Sequence, residues 1–152
     1  MTKSVKTLFI RCLSLLIALV LICPANVQAA TVTPMQPYAS SYLSAYSAYV
    51  YPAGSGLVQV YFYADGTGII DELGCLSISI YESTDNSNWT WKKTFTHDST
   101  SGMLSYDDHY HSGHVDYQGV AGRYYKAYVC IWGGDNGAGD TRYFWTSAKK
   151  AT

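Results

Sequence analysis

The sequence is poor in charge, in cysteine and in anything that marks a catalyst. Only 14% of its 152 residues are Asp, Glu, Lys or Arg, and the Lys and Arg form no cluster. A nucleic-acid binder needs a basic footprint, so the sequence argues against that partner. No serine sits in a Gly-x-Ser-x-Gly turn, and the histidines have no surroundings that mark a triad. A carboxylate pair for glycoside chemistry is defined by separation in space, so the sequence leaves it open. No stretch of the mature chain reads as a helix either.

The first 29 residues read as a separate unit. Lys3, Lys6 and Arg11 precede or interrupt an apolar run from Leu8 to Ile22, and Val27-Gln28-Ala29 follows. That is the order of a secretory signal peptide, with cleavage expected after Ala29. The pure apolar core, Leu13 to Ile22, is too short to span a bilayer. The expectation is therefore a protein secreted to the medium or the cell surface, with no membrane span after cleavage. Three of the ten Lys/Arg and none of the eleven Asp/Glu lie in this leader, leaving seven cations against eleven anions, a net −4. Residues 30–40 read as a linker and 41–152 as one domain, long enough to bury a core.

Of four cysteines, Cys75 and Cys130 remain after the leader. Two cysteines in an exported chain most simply form one disulfide. Closing that loop of about 56 residues would remove roughly 4 kcal/mol of unfolded-state entropy.

What the sequence has in abundance is tyrosine, fifteen in all and every one after the leader. Tyr38, Tyr42, Tyr46 and Tyr49 have a spacing that suits a helix face, but Ser, Tyr and Val are mediocre helix formers and no cap leads. Residues 42–51 therefore read as a first strand, ended by the turn Pro52 to Gly56. Leu57 to Ala64 follows, with Val58, Val60 and Phe62 inward. After a loop from Asp65 to Gly74 comes Cys75 to Glu82, with Leu76, Ile78 and Ile80 inward. Trp89 to Phe95 is a fourth strand. A loose polar segment from Thr96 to His114 leads into a short fifth, Val115 to Tyr117. The sixth and seventh form a hairpin within Gly122 to Ser147. Tyr125, Ala127, Val129 and Ile131 fall on one face of its first strand, and GGDNGAGD supplies the turn. Seven short strands with Gly/Asn/Asp/Ser turns predict an all-β, seven-stranded antiparallel sandwich of two sheets. By the same alternation, Cys75 and Cys130 both point outward, which predicts a cross-strand bridge on one sheet surface.

Tyr125, Ala127 and Val129 resemble the Tyr-x-x-x-Val pattern of strand F in fibronectin type III domains, themselves immunoglobulin-like. The strand order is similar to an A-B-C-C′-E-F-G sandwich. A second resemblance is to a group of small, uncharacterised proteins exported by Gram-positive bacteria. It rests on Asp71-Glu-Leu-Gly74, Ile78, Ile80-Tyr-Glu-Ser83, Trp89, Gly122, Tyr124-Tyr125 and Gly139-Asp-Thr-Arg142. It implies a fold and an extracellular address, and no activity.

Three places are candidates for function. In such a sandwich, Asp65, Asp71, Glu72, Asp135, Asn136 and Asp140 gather at one loop end, and clustered carboxylates suit Ca²⁺. Asp and Asn in turns also serve backbone geometry, and the spacing matches no EF-hand. His109, His111 and His114 lie near Asp107 and Asp108. His109 and His111 share a face if extended, which suits Zn²⁺, though a solvated loop explains them too. Outward aromatics (Tyr61, Tyr63, Tyr81, Tyr124, Tyr128, with Trp132) offer a protein- or glycan-binding face, or simply reflect strand propensity. The leading expectation is a non-catalytic binding or adhesion module without a cofactor. The alternatives are a metal-dependent or carboxylate enzyme at the loop end, and a secreted toxin or bacteriocin-like protein.

Overall fold

The computed structural model describes residues 40–152; the expected leader and nearly all of the linker lie outside the described residues. The chain is all-β, and the described residues contain no helix. Its strands are β1 (Leu43–Gly54), β2 (Leu57–Ser83), β3 (Thr90–Thr96), β4 (Leu104–Gln118), β5 (Tyr124–Asp135), β6 (Ala138–Trp145) and β7 (Lys149–Lys150). All pair antiparallel within one sheet.

That sheet is built on β2, a strand of 27 residues. Its first half pairs with β1 on one edge and with β4 on the other, Val60 facing both Val50 and Val115. Its second half pairs with β5 on one edge and with β3 on the other, Ile78 facing both Val129 and Phe95. Between the halves, pairing with β4 slips from Asp65–Tyr110 to Ile70–Asp108. Here the strand bends. Opposite the bend, short backbone bonds tie the far ends together: Gly56 N–H to Thr152 O at 2.8 Å, Gly119 N–H to Gly56 O at 3.0 Å, and Ala151 N–H to Arg123 O at 2.8 Å. The result is a curled half-barrel with one bent end and one tied end.

Two expectations are corrected here. The sandwich of two separate sheets is one sheet, because the Asp65–Gly74 segment is a bend within β2 and not a loop. Glycines and acidic residues suggested a loop, but Ile70 and Leu73 are buried and anchor the backbone in the core. Glycine in a strand commonly marks such a bend. The second correction concerns residues 96–114. Most of this segment is the first part of β4 and not a loose loop.

Alternation places the core as expected in most strands. Val58, Val60 and Phe62 on β2 and Tyr125, Ala127, Val129 and Ile131 on β5 are all buried. Each such apolar side chain withdrawn from water contributes about 1.5–3 kcal/mol before entropy is counted. Tyr46 of β1 packs on Phe144 of β6, ring centroids 5.5 Å apart, as the curl draws these strands across the interior. The hairpins reverse through Ser55-Gly56 and Asn136-Gly137, with φ of 52°, 78°, 50° and 79°. Paired left-handed residues are what a two-residue hairpin turn requires, since they match the twist of the flanking strands.

The cysteine expectation fails for a local reason. On β2 one extra residue, Leu76, is inserted opposite β5: Cys75 faces Ile131 and Ser77 faces Cys130. Such a bulge reverses the parity of everything before it. Cys75 therefore joins the inner core cluster with Ile131, while Cys130 does not belong to it. Cys130 instead stands opposite Ser77 and Tyr143 on the outer face. Both cysteines are buried free thiols, and there is no bridge between them.

Candidate functional site

The bent end holds Asp71, Glu72, Asp135 and Asp140, and it spends most of these carboxylates on backbone. Asp71 N–H donates to Asp135 Oδ1 at 2.6 Å, and Asn136 N–H donates to Asp71 Oδ2 at 2.7 Å. This reciprocal clasp fixes the β5–β6 turn against the bend in β2. Glu72 accepts from the Trp132 indole N–H at 3.2 Å. Asp140 accepts from the Ser40 hydroxyl and from Tyr42 N–H, which tethers the entry to β1. The Ser40 bond, with that of Tyr42 and Arg142 nearby, holds its carboxyl below the usual range. Asp65 pairs through its backbone with Ala45 and Tyr110. Among the described residues no three His, Cys, Asp or Glu side chains converge in a way that would hold a metal ion.

The histidines are separated by the pleat of β4. His111 lies on the inward parity of β4, its ring 5.7 Å from Phe62 and its Nε2 2.9 Å from Gly102 O. His114 lies on the outward parity, stacked on Tyr61 at 4.9 Å. His109 sits beside Asp108 at 3.7 Å, where the pairing slips. The i, i+2 reasoning does not carry His109 and His111 to a common site, because the strand is irregular between the bend and the regular ladder.

The aromatic face is present, and the bend in β2 divides it. One patch lies on the β1–β2–β4 half. Tyr49 stacks on Tyr61 at 5.2 Å, Tyr61 on His114, and Tyr63 on Tyr110 at 6.3 Å. Asp116 closes it, accepting from Gln59 Nε2 at 2.9 Å and lying 3.7 Å from His114 Nε2.

The second patch lies on the β2–β5–β6 half. The register aligns Tyr81 with Lys126, Ser79 with Tyr128, and Tyr128 with Trp145. The Trp145 ring sits 4.9 Å from both Tyr81 and Tyr128, and Tyr128 stacks on Tyr143 at 6.0 Å. The Lys126 ammonium lies 4.4 Å from the Trp89 ring centroid and 4.3 Å from that of Trp145. Trp91 adds a further exposed ring, its indole N–H donating to Thr94 Oγ1 at 3.1 Å. Beneath this layer, burial raises the Cys130 thiol while its bond with the Tyr143 hydroxyl works the other way. Of the expected face residues, Tyr81 and Tyr128 come together here. Tyr61 and Tyr63 belong to the other patch, Tyr124 pairs with Lys150, and Trp132 turns to Glu72. Sequence reasoning missed Trp89, Lys126, Tyr143 and Trp145. Only the register shows which neighbours Tyr143 and Trp145 meet across the last hairpin.

A buried polar cluster at the tied end was also missed. Glu82, on the inner face, receives the Tyr125 hydroxyl at 2.5 Å, Arg123 Nη1 at 2.5 Å and Lys92 Nζ at 3.3 Å. Burial opposes its charge, and these three donors outweigh burial and hold its carboxyl below 4.5. Tyr125, packed against Gly119, closes it from the core, and its donors tie β2, β3 and β5 together, so it serves the fold.

Comparison with protein-family models, with curated proteins and with solved structures finds no match to this chain.

Proposed function

We propose that this chain is an exported, non-catalytic binding module that acts at or outside the cell surface. Its site is the outer face formed by Tyr81, Lys126, Tyr128, Tyr143 and Trp145. One observation carries this reading: Tyr128, Tyr143 and Trp145 form a packed ring layer and still leave 36%, 62% and 48% of their surface to solvent. Contiguous exposed aromatics on a rigid sheet mark interaction sites. They supply contact area with little conformational entropy to lose. The carboxylates at the bent end support the choice from the other side, since most already hold backbone N–H groups. Export rests on the order of charged, apolar and small residues in the leader.

The test is a glycan and cell-surface binding array on the purified protein. Trp145→Ala and Tyr128→Ala should each weaken the ligand found by tenfold or more, about 1.4 kcal/mol. Alanine at Asp135, Asn136 and Asp140 together should leave binding intact. The opposite pattern would move the site to the bent end.

A further inference from the structure

Resting on that reading, we propose that the aromatic face binds an acidic polysaccharide. Its sugar rings would lie on the tyrosines and tryptophans, and its carboxylates would meet the lysines among them. The fold sorts charge in a way that the linear sequence hides. Seven Lys and Arg follow the leader, and all but Arg142 sit at the tied end. Lys92 and Lys93 are on β3. Arg123 precedes β5 and Lys126 is in its first turn of alternation, and Lys149 and Lys150 make up β7. The register sorts them by face: Lys126 opposite Tyr81 and Lys150 opposite Tyr124 share the outward parity of the rings, whereas Lys93 and Lys149 stand opposite the buried Ile80 and Tyr125. Asp65, Asp71, Glu72, Asp108, Asp135 and Asp140 stand around the bend at the other end. Three acids lie toward the basic end: Glu82 is buried and paired with Arg123 and Lys92, Asp85 holds the backbone of the β2–β3 turn at Ser87 and Asn88, and Asp116 lies 3.7 Å from His114. Among the described residues Lys93, Lys126, Lys149 and Lys150 have no carboxylate partner in an ion pair.

The cations are interleaved with rings. Lys126 lies over Trp89 and Trp145, and Lys150 lies 5.4 Å over Tyr124. A lysine held against rings has a fixed ammonium and loses less entropy when it meets an anion. Hydroxyls fill the spaces between, with Ser79 and Thr94 bonded at 2.7 Å and Trp91 donating to Thr94. A sugar ring has an apolar C–H face and a rim of hydroxyls. Aromatic faces match the first, and Ser, Thr and Lys match the second. A carboxylate on the sugar adds a charge-assisted bond to an ammonium.

The experiment titrates the purified protein with polygalacturonate, neutral dextran and single-stranded polyuridylate. Polygalacturonate should bind, and dextran should bind at least about tenfold more weakly. Raising NaCl from about 0.01 M to about 1 M shortens screening from about 30 Å to about 3 Å, and should weaken polygalacturonate by tenfold or more. Lys126→Gln and Lys150→Glu, both changes at outward positions, should each weaken it several-fold with an unchanged circular dichroism spectrum. Binding of dextran as tightly as polygalacturonate, without salt dependence, would overturn the acidic ligand and leave the aromatic site standing. Tighter binding of polyuridylate would overturn it in favour of nucleic acid. Binding of polygalacturonate that ignores Lys126→Gln, Lys150→Glu and Trp145→Ala alike would overturn this proposal and the aromatic site together.

Discussion

Tyr125 donates its hydroxyl to Glu82 Oε2 at 2.5 Å inside the tied end of the sheet. The Tyr125 hydroxyl oxygen also accepts Val120 N–H at 2.8 Å, so one phenol joins β2, β5 and the connection before β5. Gly119 packs against the ring so closely that a Cβ there would stand 2.6 Å from it. A carboxylate buried without partners would be strongly destabilising. With Tyr125, Arg123 and Lys92 around it, Glu82 instead fixes where the two halves of the sheet meet.

This pair predicts a stability profile with two limbs. The Glu82 carboxyl is held below its ordinary 4.5, so its contribution is present above that pH and is lost as pH falls through the depressed value. Burial, followed by the Glu82 bond, raises the Tyr125 phenol from 10 to about 12. Its contribution is complete below pH 10 and is lost as pH rises toward about 12. Tyr125→Phe should remove about 1–3 kcal/mol at neutral pH, by leaving buried polar groups short of a partner. It should also flatten the alkaline limb. Urea unfolding across pH measures both, and an alkaline limb unchanged in the variant would refute the assignment.

The thiols should be silent in the native protein. Cys75 is fully buried, and burial, with the neighbouring Cys130 adding to it, pushes its thiol up to about 12. The thiolate is the reactive form. A maleimide should therefore label neither cysteine at neutral pH until the chain is unfolded, and then label both Cys75 and Cys130. Mass spectrometry without reductant reads this directly. A bridged Cys75–Cys130 peptide would show that the bulge at Leu76 is misplaced.

The Asp71–Asp135 clasp should be worth about 1 kcal/mol to the fold. Asp71→Ala removes the acceptor of Asn136 N–H and leaves the turn residues themselves in place. The expected result is a lowered melting temperature, faster amide exchange at Asn136 and unchanged binding at the aromatic face. Protection at Asn136 equal to that of the parent chain would mean that the turn holds itself.

How much of this was legible in the sequence depends on how local the cause is. Alternation over Tyr125 to Ile131 and over Val58 to Phe62 was readable because the side-chain period of a strand is a property of its own backbone. The Asn136-Gly137 reversal was readable for the same reason, as left-handed residues announce themselves by type. The segment Asp65–Gly74 was misread because the same glycines that open a loop also let a strand bend. Nothing local says which occurs until Ile70 and Leu73 find the core.

The sequence by itself determined that this is an all-β chain, rich in tyrosine, with strands of known inner face and turns of known chemistry. Only the tertiary structure decided that β2 runs unbroken through two halves of one sheet. It also decided that Leu76 puts Cys75 and Cys130 on opposite faces, and that Lys126 is held between Trp89 and Trp145. Each of these depends on strand register. Register is a relation between segments far apart in the chain, set by which pairing buries the most apolar surface, and a single inserted residue changes it without changing the pattern on either side.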